Sequence, residues 1–325
     1  MIPKYINKWL NIIEKMNNDN TYKLAWGRAI IECVALDHYK IEDNKIIISF
    51  TDISEKILKY YWNQSFFFKL KQSPYVDKIP QIQQSTEKLI KIYKKESNSI
   101  IPIWFDECKI FFDKHNFSYY QKAINEITKV LPRDVAYRFL NTNNGIEKVY
   151  DYNKGEHHII INQEDVKDLK DYSVLISQLL NYKWTQLLEK YNFAPKIASK
   201  VKGISDNKIR RTSLANYRNI LLQQFKDGKI IDFYTGQELD EKDISIDHVI
   251  PWSYIYSDDI WNLVITSSSY NSSKSNSIPE EEFITKLEER NKQLLDIIDE
   301  PKYKKQIENA IKNNTVRKIF YDCRL

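Results

Sequence analysis

Asp247 and His248 stand side by side at the end of a short apolar stretch, residues 244–250. A carboxylate is a hard oxygen ligand, and an imidazole exchanges protons near neutral pH. A polar linker containing Asp258 and Asp259 leads to a second apolar stretch, residues 261–266. The polar run 269–275 follows, in which Asn271 offers another neutral oxygen. Two protein oxygens, completed by water and a substrate phosphate, suit Mg²⁺, which gives up its hydration reluctantly. A base that takes a proton from water, a cation that stabilises the leaving oxygen and positive charge for the substrate together describe phosphodiester hydrolysis.

The elements that must hold these groups follow from the same segment. Two apolar stretches around a loop, then a polar run able to start a helix, predict a ββα unit with the carboxylate–imidazole pair at the end of its first strand. Just upstream, between residues 195 and 230, nine basic side chains face only two acidic ones. That segment includes Lys202, Lys208, Arg210, Arg211 and Arg218, and it predicts a loop at 203–207 followed by a helix over 213–225. Such charge suits neutralisation of backbone phosphates. Downstream, Pro279 and three glutamates open a further helix, with acids where the helix dipole favours them.

The rest of the chain is of a different character. Residues 1 to about 125 carry apolar side chains at helical spacing, such as Ile6, Trp9, Leu10 and Ile13. Residues 39–50 interrupt them and predict two strands around an Asp-Asn turn. Residues 148–152 and 157–161 predict a second strand pair, and 163–191 a long helix with Leu169, Leu175, Ile176, Leu179, Leu180 and Trp184 on its buried side. The aromatic run 60–68 is expected in the core. Adjacent His157 and His158 point to opposite faces of a strand and cannot chelate together.

Composition bounds the whole. The chain has 325 residues, with 49 basic and 44 acidic side chains and a net charge of +5, which permits an anionic partner without requiring one. The 42% hydrophobic and 13% aromatic content excludes an intrinsically disordered chain. Six glycines, and no glycine-rich phosphate loop, argue against a nucleotide-binding fold. Three distant cysteines make a disulfide framework improbable, and no apolar stretch is long enough for a membrane span. A cytoplasmic, α+β protein is expected, mostly helical with small β-hairpins and ending in the ββα unit. The expected division is a helical region at 1–195, a basic segment at 196–230 and the ββα domain with C-terminal helices at 231–325.

Tyr-Thr-Gly at 234–236, Ile-Asp-His-Val-Ile-Pro at 246–251, Asn-Leu-Val at 262–264 and Asn-x-x-Lys-Ser at 271–275 occur in order. This pattern resembles the HNH, or ββα-metal, endonucleases, especially the HNH domains of RNA-guided nucleases and bacterial defence enzymes. The resemblance implies that His248 is the general base, that Asp247 and Asn271 bind the metal and that Asn262 braces the loop orienting the histidine. Lys274 falls where relatives often have a lysine near the phosphate. Many relatives carry cysteine pairs holding a structural zinc; here Phe233, Tyr234, Thr235 and residues 267–270 stand in those places, so no zinc is expected. The resemblance implies a Mg²⁺-dependent (Mn²⁺ as a substitute) cleavage of double-stranded DNA in restriction or anti-phage defence, with a homodimer for double-strand breaks. Two other functions stay open at this point. One is an effector nuclease controlled by a partner protein of a defence system, and the other a non-catalytic nucleic-acid-binding protein.

Overall fold

A computed structural model of the protein describes residues 2–74, 79–153, 155–202, 213–225 and 227–324, without the side chain of Lys202. The chain forms two compact units. The first takes in residues 1–99, 103–192 and 197–207, and the second residues 100–102, 193–196 and 208–325. The class is α+β, as the patterning predicts: mostly helices, with small antiparallel strand groups.

In the first unit the helices are α1 (Lys4–Lys15), α2 (Tyr22–Ala35), α3 (Phe50–Trp62), α4 (Gln81–Glu96), α5 (Phe105–His115), α6 (Phe117–Val130), α7 (Ala136–Phe139), α8 (Gln163–Asp171), α9 (Ser173–Tyr191) and α10 (Ile197–Lys202). The strands are β1 (Lys40–Glu42), β2 (Lys45–Ser49), β3 (Asn141–Thr142), β4 (Gly145–Ile146), β5 (Asp151–Tyr152) and β6 (His158–Asn162). The two hairpins expected from sequence merge into one sheet of order β1-β2-β6-β5. Asp43 and Asn44 both take positive φ in the β1–β2 turn, the backbone that Asp and Asn tolerate best. The β2–β6 register sets Ile46 against Ile161 and Ile48 against Ile159, so all four buried isoleucines share the core face.

Helix α2 is buried nearly all round. Gly27 lies in its interior because the Phe139 ring and Leu180 close on the backbone there, and a Cβ would sit 2.8 Å from Phe139 Cε2. Tyr60, Tyr61, Trp62, Phe66 and Phe68 are buried as expected, on α3, in the π-helical turn Asn63–Phe67 after it and at the residue that ends that turn.

One expectation needs correcting. The long helix over 163–191 is two helices that part at Tyr172, where the Ser173 hydroxyl donates to the Lys170 carbonyl and competes with the helical ladder. The buried stripe of α9 is Ile176, Leu180, Trp184 and Leu188, spaced by four. Leu175 lies one residue off that stripe and is 53% exposed, while Leu179 is only half-buried.

The second unit contains α11 (Ala215–Leu222), β7 (Ile244–His248), α12 (Trp252–Ile255), β8 (Leu263–Ser267), α13 (Ser268–Lys274), α14 (Glu281–Ile297), α15 (Pro301–Lys312) and α16 (Thr315–Arg324). Strands β7 and β8 pair antiparallel and α13 follows directly, which is the ββα unit read from the sequence. Helix α11 is shorter than the 213–225 expected, and the loop expected at 203–207 lies outside the described residues. Among the described residues no helix is long and apolar enough to cross a membrane. Cys33, Cys108 and Cys323 are buried and form no disulfide.

Candidate active site

The hairpin is anchored from below by Asp232. Its Oδ1 accepts the amides of Tyr234 and Thr235 at 2.8 and 3.0 Å, and its Oδ2 accepts Thr266 Oγ1 and the Ser267 amide at 2.9 and 2.8 Å. Burial alone would push this carboxyl up, but these four donors overcome it and hold it below its ordinary range. Gly236 closes the same turn at positive φ, its amide 3.0 Å from the Asp232 carbonyl. One side chain thus ties the Tyr-Thr-Gly turn to the end of β8.

At the other end of the hairpin, Asn262 is fully buried and bonds both ways to one residue. Its Oδ1 accepts the Ile250 amide and its Nδ2 donates to the Ile250 carbonyl, each at 2.8 Å. Its own carbonyl accepts the Val249 amide at 2.9 Å. The chain leaving His248 is therefore pinned residue by residue. His248 Nε2 lies 2.9 Å from Asp258 Oδ1, and both side chains are largely buried.

Helix α13 covers the face of β7 that carries Asp247. Ser267 caps it, accepting the Tyr270 amide at 3.2 Å. Asn271 and Lys274, three apart, lie on one side of this helix, as Ser245 and Asp247, two apart, lie on one side of the strand. Asn271 Nδ2 donates to Ser245 Oγ at 2.7 Å, and Lys274 Nζ sits 2.9 Å from Asp247 Oδ2 and 2.8 Å from the His248 carbonyl. This ion pair is close to sealed, with side-chain exposures of 8% and 7%. Tyr234 also donates to Asp247 Oδ2. Burial first and the Asp247 charge second push its hydroxyl well above the ordinary tyrosine range, so it stays a donor. Tyr234 stacks on Tyr270 with centroids 4.5 Å apart.

A divalent metal takes a defined set of donors. Among the described residues no group of three or more His, Cys, Asp or Glu could hold one, so a cation here must use mixed donors. Asp247 and Asn271 present a carboxylate and an amide oxygen from neighbouring elements. The asparagine commits its nitrogen to Ser245, and both contacts to Asp247 fall on Oδ2. Hard carboxylate and amide oxygens are the donor type that Mg²⁺ takes. The Lys274 ammonium is already on that carboxylate, so a cation would share Asp247 with it.

The structure therefore brings Asp247, His248, Asn262, Asn271 and Lys274 together. It treats the basic segment unevenly. Lys208, Arg210 and Arg211 lie outside the described residues, as does the Lys202 side chain. Arg218 Nη2 donates to the Glu241 carbonyl at 2.7 Å, and Lys200, one of the nine basic residues counted there, is fully buried and cannot grip a phosphate. Tyr234, Ser245 and Asp258 were not singled out for these contacts by sequence reading. Tyr234 stands in the Tyr-Thr-Gly motif, but its contact to Asp247, like the contacts of Ser245 and Asp258, follows only from the antiparallel register and the loop path.

Residues 232–280, within the second unit, match the family model described as HNH endonuclease, and this segment is an HNH endonuclease domain. Residues 6–202, more than half of the chain, match the family model of a domain of unknown function (DUF8808), and the chain belongs to that family. The CRISPR-associated endonuclease Cas9 of Listeria innocua is 41% identical over 70 residues, 21% of this chain and 5% of its own length. That of Streptococcus mutans is 34% identical over 87 residues, 26% of this chain and 6% of its own length. The chain thus spans only about one twentieth of the length of these relatives. No solved structure matches the chain.

Proposed function

We propose that this nuclease is a metal-dependent endonuclease that hydrolyses phosphodiester bonds in double-stranded DNA, in bacterial restriction or anti-phage defence. The observation that carries the reading is the convergence of Asp247, Asn271 and Lys274 on one face of β7, with His248 at its end. The likeness to two CRISPR-associated endonucleases supports a defence role. Asp247 and Asn271 would hold a divalent cation, Mg²⁺ or in its stead Mn²⁺, which supplies Lewis-acid stabilisation of negative charge on the phosphate and leaving oxygen.

This chain's own residues do the rest. His248 takes a proton from water as the water oxygen forms a bond to phosphorus. One P–O ester bond breaks, and the leaving oxygen takes a proton from solvent. Asn262 keeps the backbone after His248 from drifting, because both of its amide atoms are committed to Ile250. Basic residues around Arg218 neutralise the substrate backbone without reading sequence. One centre cuts one strand, so a double-strand break calls for two copies, most simply a twofold dimer.

The test is to incubate purified protein with plasmid and phage DNA, with Mg²⁺, Mn²⁺ or EDTA, and to sequence the ends. Metal-dependent ends that EDTA abolishes are expected. Discrete ends at a short motif support a restriction enzyme, and cutting of RNA alone would overturn the DNA assignment. Cutting only after a defence-system partner is added would make residues 6–202 a control module.

A further inference from the structure

The loop between β7 and β8 carries two adjacent acids with different partners. Asp259 turns into the loop itself, its Oδ2 accepting Ser257 Oγ at 2.6 Å and its carbonyl the Asn262 amide at 2.9 Å. Asp258 turns the opposite way, onto His248 Nε2 at 2.9 Å. The backbone that carries it is itself held. Tyr217 of α11 donates to the Asp258 carbonyl at 2.6 Å, and the Tyr217 ring packs edge-on against Tyr303 of α15, centroids 5.6 Å apart. Three separate elements thus fix one carboxylate against one ring nitrogen, with exposures of 9% for the histidine and 17% for the acid.

A carboxylate only accepts hydrogen bonds, so the imidazole nitrogen that faces it carries the hydrogen. In a neutral ring the lone pair then lies on Nδ1. We propose that Asp258 is the positioning residue of the catalytic histidine. It holds Nε2–H, fixes the tautomer and ring orientation, and leaves Nδ1 to receive the proton of the attacking water. Asp258 acts through His248. The inference rests on the reading of His248 as the general base. After the proton arrives, Asp258 faces an imidazolium whose charge it stabilises, and the proton later leaves to solvent.

The test uses the full-length chain and its Asp258→Asn and Asp258→Glu variants, in steady-state cleavage of plasmid DNA with Mg²⁺. An asparagine can present its amide N–H to the ring and impose the wrong tautomer. The expected loss in kcat is about 100-fold to 10,000-fold, the range that a positioned general base contributes. KM should stay within about twofold, since the carboxylate is spent on the His248 ring. Asp258→Glu should recover about tenfold or more of the loss, because it restores an acceptor-only partner. Independently, ¹⁵N-histidine NMR of the wild-type protein reads the tautomer directly. The His248 resonances, assigned with His248→Gln, should show Nε2–H in the wild type and a shift toward Nδ1–H in Asp258→Asn. A wild-type kcat in Asp258→Asn, or Nδ1–H in the wild type, overturns the proposal. If the wild-type chain cuts no DNA with any metal, the nuclease reading of the site falls by itself. The wild-type tautomer still decides whether Asp258 holds Nε2.

Discussion

A carboxylate, an imidazole, two carboxamides and an ammonium make up the site, and each has a separable task. His248→Ala should remove cleavage while leaving DNA affinity within about twofold, because the imidazole serves the reacting water rather than binding. Nicking assays beside gel-shift titrations check this, and wild-type cutting by the variant would refute His248 as the base. Asn262→Ala should behave differently. It leaves the Ile250 amide and carbonyl unpaired in a buried place, which costs about 1–3 kcal/mol for each group. That variant should lose stability and cleavage together, read from urea melts beside nicking assays. The types and order of these residues were readable from sequence. The contacts of Lys274 with Asp247 and the His248 carbonyl were not.

Elements hold these groups by a few tight couplings. Asp232 joins the Tyr-Thr-Gly turn to β8, and its carboxyl is depressed in the folded state. It therefore stabilises the second unit above the ordinary carboxylate range, and that contribution disappears as pH falls through the depressed folded value. Asp232→Asn should lower stability at pH 7 by about 2 kcal/mol, since an amide cannot accept all four donors. It should also flatten the loss of stability on acidification. Urea melts at pH 7 and at successively lower pH check both; an unchanged acid slope would refute the role. In the first unit, Gly27→Ala sets a methyl against Phe139, whose buried ring is hemmed in by Trp9 and Tyr150. Overpacking of roughly 1–3 kcal/mol should outweigh the gain of up to about 1 kcal/mol in helix propensity. A urea midpoint that rises in this variant would show that the ring yields.

The whole molecule joins a nuclease unit to a larger helical unit of the DUF8808 family. A single HNH centre per chain should leave nicked circles on supercoiled plasmid before linear molecules appear. The linear fraction should climb with protein concentration as copies pair. Linear product without a nicked precursor at the lowest concentrations would argue for a standing dimer. Metal analysis of the purified chain should find less than stoichiometric zinc, because the places of the cysteine pairs hold Phe233, Tyr234 and serines.

What the sequence determined by itself was local and periodic. The ββα order, the acid–imidazole pair at a strand end, the Asp-Asn hairpin and the aromatic core of α3 all depend on neighbours within a turn or a strand. Their residue types alone specify them. Tertiary structure decided whatever depends on two distant segments meeting. Two hairpins more than 90 residues apart became one sheet because Ile46 and Ile48 needed Ile161 and Ile159 to cover the same face. A helix of 29 residues became two, and Leu175 turned outward, because the buried stripe of α9 runs through Ile176 instead. Asp258 gained a partner that its neighbour Asp259 lacks because the loop path, held by Tyr217, aims one side chain at His248 and the other at Ser257. A sequence displays both acids as equals; only packing distinguishes them.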